Sequence, residues 1–466
     1  HQNYVKNLVS NILQRDIDDA ILFAARDDRE FVMSKVLEDL DYACENCLGT
    51  DVYKGVINKW VVLAFKSRVC LYEGTFRKYH SVNPSTNAAW NNQYETANDF
   101  LTAAASAAKE VMTDGGFELY KKGTPEKDFR TIFTSQNPDA TKEVIWIREM
   151  AGDPINVFNE LTWNFNSATY GQQYSPTKDL VHMFLTLDGK PVETDQVSLT
   201  KEFDNRDWRL SQTVHGPGHT YQNSAGTTML KNIDFSTTKT GYAFIKWSVE
   251  IQENYSKGKA DNSLPILRLG EVLLNYAEAK AELGEMDKSI WNETVGALRE
   301  RAGVTNIYPE DANYVEDEWL KDYYADSPIK LSNTLLEIRR ERVTELIMEN
   351  GLRVSDLYRW KLGNLIRDRS TGNQGWKGIY LSTDEYNNGF EFNGYKYLFK
   401  DQAQGTYSYP IGQSSDDMNY TLSDGDHGYL IYNYKLQWDE KRYVRPIPST
   451  ALTKNPNLGQ NYGWEQ

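Results

Sequence analysis

SLPILRLGEVLLNYAEAKAELGEMDKSIWNETVGALRERAG, residues 263–303, decides the fold, because it reads as two helices joined by a tight turn. Ser263 is placed to cap the first helix. Pro265 falls in its first turn, where a missing N–H costs little, and Gly284 ends it. Ile266, Leu269, Leu273, Tyr276 and Ala277 recur at three-to-four spacing, so one face is apolar. The small side chains of Ala277, Ala279 and Ala281 let a neighbouring helix come close. The second helix is expected to begin at about Asp287 and to stop near Gly303.

Working outward, the same layout recurs. Val56–Tyr72 is a strongly apolar helix closed by Gly74. A Pro/Asn/Ser loop follows at 81–87. The next helix, Ala88–Thr113, carries Trp90, Tyr94, Ala97 and Leu101 on one stripe and ends at Gly115-Gly116. A helix, a glycine-containing turn and a second helix in roughly 34 residues resembles a tetratricopeptide unit, and two such pairs suggest an irregular α-solenoid. Phe31–Cys47 adds a helix with Val32, Val36, Leu40 and Ala43 on one face, and Tyr4–Leu13 is weakly helical. Leu331–Glu349 is helical, with Leu335, Ile338, Leu346 and Ile347 among dense Arg and Glu. Asn350-Gly351 stops it, and Arg353–Ile366 is one more helix.

Between these helical stretches the character changes. In 117–262 only Thr177–Leu187 reads as helix, and strand-like pieces at Glu143–Glu149 and Tyr242–Val249 alternate with polar, Gly- and Asn-rich segments. Long irregular segments of this kind are usually functional loops. The chain is loop-rich again after Ser370 and ends in a Pro/Asn-rich tail expected to wrap the surface. The expected fold is mainly α: a tetratricopeptide-repeat-type helical scaffold with long irregular loop insertions and a few short strands. One domain, 1–466, would comprise N-terminal helical repeats (1–116), a loop-rich ligand-binding insertion (117–262), tetratricopeptide-like helices (263–366) and a loop-rich C-terminal part (367–466).

Composition bounds the partners. With 66 acidic against 51 basic residues the net charge is -15, which argues against a general nucleic-acid or anionic-membrane binder. Thirty Tyr and twelve Trp exceed what a core needs and point to aromatic surface in loops. No apolar run approaches the ~18 residues of a spanning helix, and no charged-then-apolar leader precedes His1. The chain is therefore either cytosolic or a mature or trimmed form. Cys44, Cys47 and Cys70 are too few for a disulfide framework. Cys44-Glu-Asn-Cys47 has the spacing of a redox pair or half a zinc site, but nothing completes it, so a structural role is favoured.

Enzyme signals are missing. There is no GxSxG elbow, no GxxxxGK[ST] phosphate loop, no HExxH and no GxGxxG. Nothing singles out a pair of glycosidase carboxylates among the acids. Asp424-Gly-Asp-His427-Gly resembles a calcium turn only loosely. Arg339, Arg340, Glu341, Arg342 and Glu345, continued by Arg353, Asp356 and Arg359, could hold an acid/base pair, but i,i+3 and i,i+4 spacing favours an ion-pair network locking two helices. Neither a metal nor a cofactor is expected.

Six segments together are similar to the SusD/RagB-like glycan-binding lipoproteins of Bacteroidetes outer membranes. They are ARDDREFVMSKVLEDLDYA (25–43), SPTKDLVHMFLTLDG (175–189), NRDWRL (205–210), LPILRLGEVLLNYAEAKAELG (264–284), IRRERVTELIMENGLRVSDLYRW (338–360) and RPIPSTALTKNPNLGQNYGW (445–464), in the family's order. Two departures stand out. Trp208 occupies a position where the family more often has proline, and the family's signal peptide, lipid-modified cysteine and first helical stretch have no counterpart before Tyr4. The resemblance implies a right-handed tetratricopeptide-type scaffold and non-catalytic capture of oligosaccharide, or in some members peptide. It also implies a place on the outer face of the outer membrane, held by an N-terminal lipid anchor absent from this chain, and a SusC-like TonB-dependent transporter as partner. A glycoside hydrolase and a protein-interaction scaffold are the rival readings.

Sugar rings present apolar C–H faces edged by hydroxyls, so a glycan site needs exposed aromatic planes and a polar rim. LTWNFNSATYGQQY (161–174) is the richest such stretch, with Trp163, Asn164, Asn166, Tyr170, Gln172 and Tyr174. Its setting favours a loop, whose aromatics either line the site or pack the loop down. TVHGPGHTYQN (213–223) is the second. Gly216-Pro217-Gly218 breaks any helix between His215 and His219, so zinc is disfavoured. The loop either presents His219 and Tyr221 to a ligand or is simply solvent-exposed. Trp90 is expected in the core. Trp376 and the Tyr-rich segment Tyr380–Tyr397 could add an aromatic rim.

Overall fold

The computed structural model describes residues 23–49, 54–138, 141–150, 157–167, 173–367, 375–399, 420–432 and 438–465. The weakly helical stretch expected at Tyr4–Leu13 lies outside them. Helix α1 (Arg29–Asn46) packs on α2 (Lys59–Tyr79), and α2 on α3 (Ala97–Asp114). On α1 the buried face holds Glu30 and Ser34, with Met33, Leu37 and Cys44 against the core, while Val32 is exposed. Of the face expected from Val32, Val36, Leu40 and Ala43, the last three are half-buried, so the buried side is rotated toward Glu30 and Ser34. Glu30 accounts for the rotation: its carboxylate accepts from Asn83 Nδ2 (3.2 Å) and the Asn91 N–H (3.1 Å), so a polar anchor sets the helix face.

Helix α2 starts one residue after Asn58, whose side chain accepts the Val61 N–H (3.1 Å). Gly74 does not end it. The helix runs on to Tyr79, and Gly74 is instead where α3 comes closest: a Cβ there would lie 2.8 Å from Leu101 Cγ and 2.9 Å from the Ala97 carbonyl. Helix α3 begins at Ala97, not Ala88, because Thr96 and Asp99 form a capping box. Trp90 therefore lies in the loop before it. Its indole N–H donates to the His80 carbonyl (2.7 Å), and its ring meets Phe76 edge-on at 6.2 Å.

Helix α4 (Pro125–Thr134), strand β1 (Val144–Arg148) and helix α5 (Leu161–Asn166) follow. The first shows that segment 117–262 is less loop-rich than expected: Phe129, Ile132 and Phe133 bury one face. The helix expected over 177–187 is only Lys178–Met183, capped by Thr177. Tyr242–Val249 forms no strand. Phe244 makes one isolated bridge to Val214 and the chain then turns. A hairpin, β2 (Thr220–Gln222) with β3 (Thr228–Leu230), precedes β4 (Leu264–Arg268).

Strand β4 corrects the opening of the decisive stretch. Leu264–Arg268 pairs antiparallel with β1, Pro265 opposite Ile147 and Arg268 opposite Val144, so helix α6 (Leu269–Glu282) begins at Leu269. Ser263 is no cap. Its hydroxyl donates to the Gln136 carbonyl (2.7 Å) and accepts the Met150 N–H (3.0 Å). The local sequence fits either state, and pairing with a distant strand decides it. The second helix, α7, comes as expected: Asp287 accepts the Ile290 N–H (2.8 Å), then an α turn (Lys288–Trp291), a π turn (Asn292–Gly296) and another α turn (Ala297–Arg301) run on. Gly303, at φ 72°, lies under the Trp208 ring, where a Cβ would meet Cδ1 at 2.8 Å.

Helix α8 (Asn333–Leu346) lies between two apolar cores. Leu336 and Val343 face one, built from Phe129, Phe133, Leu210, Trp360, Ile379 and Leu430. Ile338 and Leu346 face the other, between α2, α3, α6 and α7. Its charged residues are buried too. Glu345 accepts from Arg301 Nη2 at both oxygens (2.5 and 2.6 Å), from Arg268 Nη1 (2.6 Å) and from Arg209 Nη1 (2.8 Å). Glu143 joins Arg268 and Arg301, and Glu341 joins Arg209 and Arg299. From α9 (Leu352–Arg359), Arg359 grips Glu278 (2.5 and 2.6 Å) and Asp356 pairs with Arg342. The charged face is therefore an ion-pair network, mostly between elements rather than along one helix.

Two of its expected members differ. Arg353 bonds to the hydroxyls of Tyr323 and Tyr324. Arg339 makes no hydrogen bond from its guanidinium among the described residues and lies over Trp360 (4.3 Å), Tyr79 (5.0 Å) and Tyr324 (5.5 Å). The tail returns to the start of the described chain: Asn457 and Asn455 donate to the carbonyls of Phe23 and Ala24, and Arg26 donates to the Leu458 carbonyl.

Candidate ligand-binding site

The first aromatic stretch begins as helix α5 rather than as a loop. Asn159 fixes its entry, accepting the Leu161 N–H (3.0 Å) and donating to the Asn262 carbonyl (2.7 Å). Thr162 and Phe165 turn inward, leaving Trp163, Asn164 and Asn166 half-buried. The helix packs against the turn Gln252–Tyr255, and Lys257 Nζ lies 5.5 Å from the Trp163 ring centre. Tyr174 is exposed, its ring edge-on to Phe165 at 6.0 Å. Tyr170 and Gln172 lie outside the described residues.

The second stretch is exposed at Pro217, Gly218, Thr220 and Gln222 but not at its histidines. His215 is buried with its ring 4.7 Å from that of His219, whose side chain is 10% exposed. His215 Nε2 donates to the Lys231 carbonyl (3.1 Å), and burial holds its imidazole well below the usual range. No group of three His, Cys, Asp or Glu among the described residues is arranged to hold a metal ion, and that covers the Cys44/Cys47 pair and the Asp424–His427 turn. Tyr221 projects from the β2–β3 hairpin. Asn223 shapes the hairpin's turn, accepting the N–H groups of Ala225 (3.0 Å) and Thr227 (2.9 Å), and the Gln222 N–H docks it on the Glu250 carbonyl (2.8 Å).

Glu250 ties the two stretches together. Its carboxylate accepts from Lys231 Nζ (2.6 Å), the Tyr255 hydroxyl (2.5 Å) and Arg130 Nη2 (3.3 Å), with His219 Nε2 3.3 Å away. Burial alone would raise this carboxyl. Lys231, His219 and Arg130 outweigh it and hold the group well below the carboxylate range. Tyr255 stands 6.0 Å from Tyr221, ring to ring, on the turn that also packs against the Trp163 helix. Trp163, Tyr255 and Tyr221 thus flank one short segment, with a saturated carboxylate beside them. Arg130, Lys231, Glu250 and Tyr255 carry no sequence signal, because no spacing relates them.

On the other side of Glu250 a polar cleft of about 420 Å³ opens between α4, the short helix Trp208–Thr213 and residues 216–220. Glu126, Lys127, Arg130, Gln212, His219 and Thr220 line it. A second cleft, of about 430 Å³, lies between the loop after α2 and the tail, lined by His80, Lys361, Tyr443 and Tyr462. Of the expected aromatic rim, Trp376 is half-buried, Tyr395 is exposed and Tyr397 is buried. No described helix is long and apolar enough to cross a membrane.

Comparison with known proteins places this architecture. The chain is similar to a SusD-like protein from Bacteroides fragilis (21% identity, 94% of this chain and 73% of that one, TM-score 0.57). It is also similar to a SusD-like carbohydrate binding protein from the same species (18% identity, 95% and 74%, TM-score 0.63). At these identities the likeness is one of fold: a mainly α, tetratricopeptide-like scaffold. No curated protein matches the chain. The sequence model of the SusD family matches residues 131–464, well over half of the 466 residues, and the chain belongs to that family.

Proposed function

We propose that this protein binds glycan without cleaving it, at the outer face of the outer membrane, and passes it to a SusC-like TonB-dependent transporter. The observation that carries the reading is the grouping of Tyr255 and Tyr221, 6.0 Å apart ring to ring, with Trp163 on the helix packed against the Gln252–Tyr255 turn, beside polar groups that suit a hydroxyl rim. Trp163, Asn164, Tyr170, Tyr174 and Tyr221 remain the proposed ligand contacts, now with Tyr255. His219 lines the neighbouring cleft wall instead of stacking. Segment 117–262 supplies most of this surface, and a lipid anchor would precede the present chain. The relative named for carbohydrate binding supports the same assignment.

The occupied carboxylate of Glu250 supports the reading without cleavage. A glycosidase base needs a free carboxylate, and this one is occupied by Lys231, Tyr255 and Arg130. Calorimetry against a glycan panel, with a reducing-end assay alongside, tests both parts. Saturable binding with no product is expected; steady release of reducing ends would overturn the binding-only reading.

A further inference from the structure

We propose that the glycan taken by this site is acidic, carrying a uronate carboxylate or a sulfate ester that docks in the cleft beside Glu250; this rests on the glycan-binding reading above. The argument starts from Arg130. Its Nε donates to the Ile245 carbonyl (3.0 Å), and its Nη2 donates to the Ser248 carbonyl (2.6 Å) and Glu250 (3.3 Å). Three contacts fix the guanidinium plane. Nη1 makes no hydrogen bond among the described residues and is not a sealed-off atom, so one nitrogen of a rigid cation is left for the cleft that Arg130 lines. A cation held in place this way can meet one oxygen of a planar or tetrahedral oxyanion and loses little freedom on binding.

Lys127 stands three residues away on α4, exposed at the same cleft. Its ammonium has no hydrogen-bond or ion-pair partner among the described residues. Two acceptors are already taken: Glu250 is saturated, and the Gln212 amide oxygen accepts the Arg130 N–H (2.9 Å). Among the lining residues Lys127 and Arg130 outweigh Glu126, a local excess of positive charge on a chain of net charge -15. A neutral sugar offers Arg130 Nη1 and Lys127 only hydroxyl oxygens, with no compensating charge. An oxyanion supplies both.

The test is calorimetry on the whole chain with oligogalacturonate (carboxylate), carrageenan oligosaccharide (sulfate), and neutral xylo- and malto-oligosaccharides, at low and high salt. At least one acidic probe should bind tenfold or more tightly than either neutral one, and weaken with salt, the two acidic probes telling carboxylate from sulfate. Lys127→Glu, at an exposed side chain with no partner to lose, should weaken acidic binding roughly tenfold. Arg130→Lys, which keeps the charge but not the guanidinium fixed by Ile245, Ser248 and Glu250, should weaken it as well. Neutral probes bound as tightly as acidic ones, or unchanged affinity in Lys127→Glu, would overturn the acidic preference and leave glycan binding intact. Binding to none of the probes would overturn both.

Discussion

Arg301 Nη2 lies 2.5 and 2.6 Å from the two oxygens of Glu345, and neither side chain has any exposure to solvent. Arg268 and Arg209 share the same carboxylate. Removing this one negative charge leaves three buried guanidinium groups undercompensated. Glu345→Gln should destabilise the protein by about 3–5 kcal/mol, read as a lowered midpoint in urea denaturation.

Arg339 should behave in the opposite way. It sits on the same helix, buried, yet touches rings rather than carboxylates. Replacing it by methionine removes the cost of burying a cation and keeps contact with Trp360 and Tyr79. Arg339→Met should change stability by no more than about 1 kcal/mol, or raise it. A loss as large as that of Glu345→Gln would show a partner that the ring cage does not reveal.

Acid should weaken the fold in two stages. Burial pushes His80 and His182 down to about 4, against 6.5 in an open chain. Between those values the unfolded chain binds protons that the folded one refuses, so stability falls as pH drops from about 6.5 to 4, by at most roughly 3 kcal/mol per histidine. Glu345, Glu349, Glu278 and Asp356 come next. Burial would raise them, but their arginine partners, and Lys246 at Glu349, hold them low, so their contribution is present above about 4.5 and lost below it. Melting temperatures at pH 8, 6, 5, 4 and 3 should show both slopes, and His182→Gln should reduce the first.

Gly74 offers a test of the helix contact. A methyl group there meets Leu101 Cγ at 2.8 Å and the Ala97 carbonyl at 2.9 Å. Although alanine is the better helix former, Gly74→Ala should cost about 1–3 kcal/mol through overpacking of α2 against α3. Thermal unfolding compared with Gly116→Ala, at a residue with open space around it but a positive φ, separates crowding from backbone strain.

For the ligand surface, Trp163→Ala and Tyr221→Ala should each weaken glycan binding by about 1 kcal/mol. Tyr255→Phe keeps the ring but frees Glu250 of one donor. It should leave stacking nearly intact, so affinity falling as far as in the alanine variants would assign the contact to the hydroxyl.

The scaffold was legible in sequence because it rests on local rules. Apolar spacing and the Asp287 cap mark α7 without reference to the rest of the chain. What misled is long-range: Leu264–Arg268 is a strand because β1 lies alongside it, and Gly74 continues a helix because α3 needs room. At the candidate site, Trp163 and Tyr221 stand out by residue type. Arg130, Lys231, Glu250 and Tyr255 do not, since each is ordinary until the fold brings them to one carboxylate.

The sharing of Glu345 also limits what can be transplanted within this architecture. Arg209 and Glu143 come from the loop-bearing segment before residue 262, and Arg268 from strand β4, with Arg301 and Glu345 from the helices, after it. A chimera that exchanged the ligand-bearing segment for that of another protein would have to import residues equivalent to Arg209 and Glu143 as well. Without them Arg268 and Arg301 would each lose one carboxylate partner, and Glu341 and Glu345 one guanidinium partner, however well the new loops were chosen.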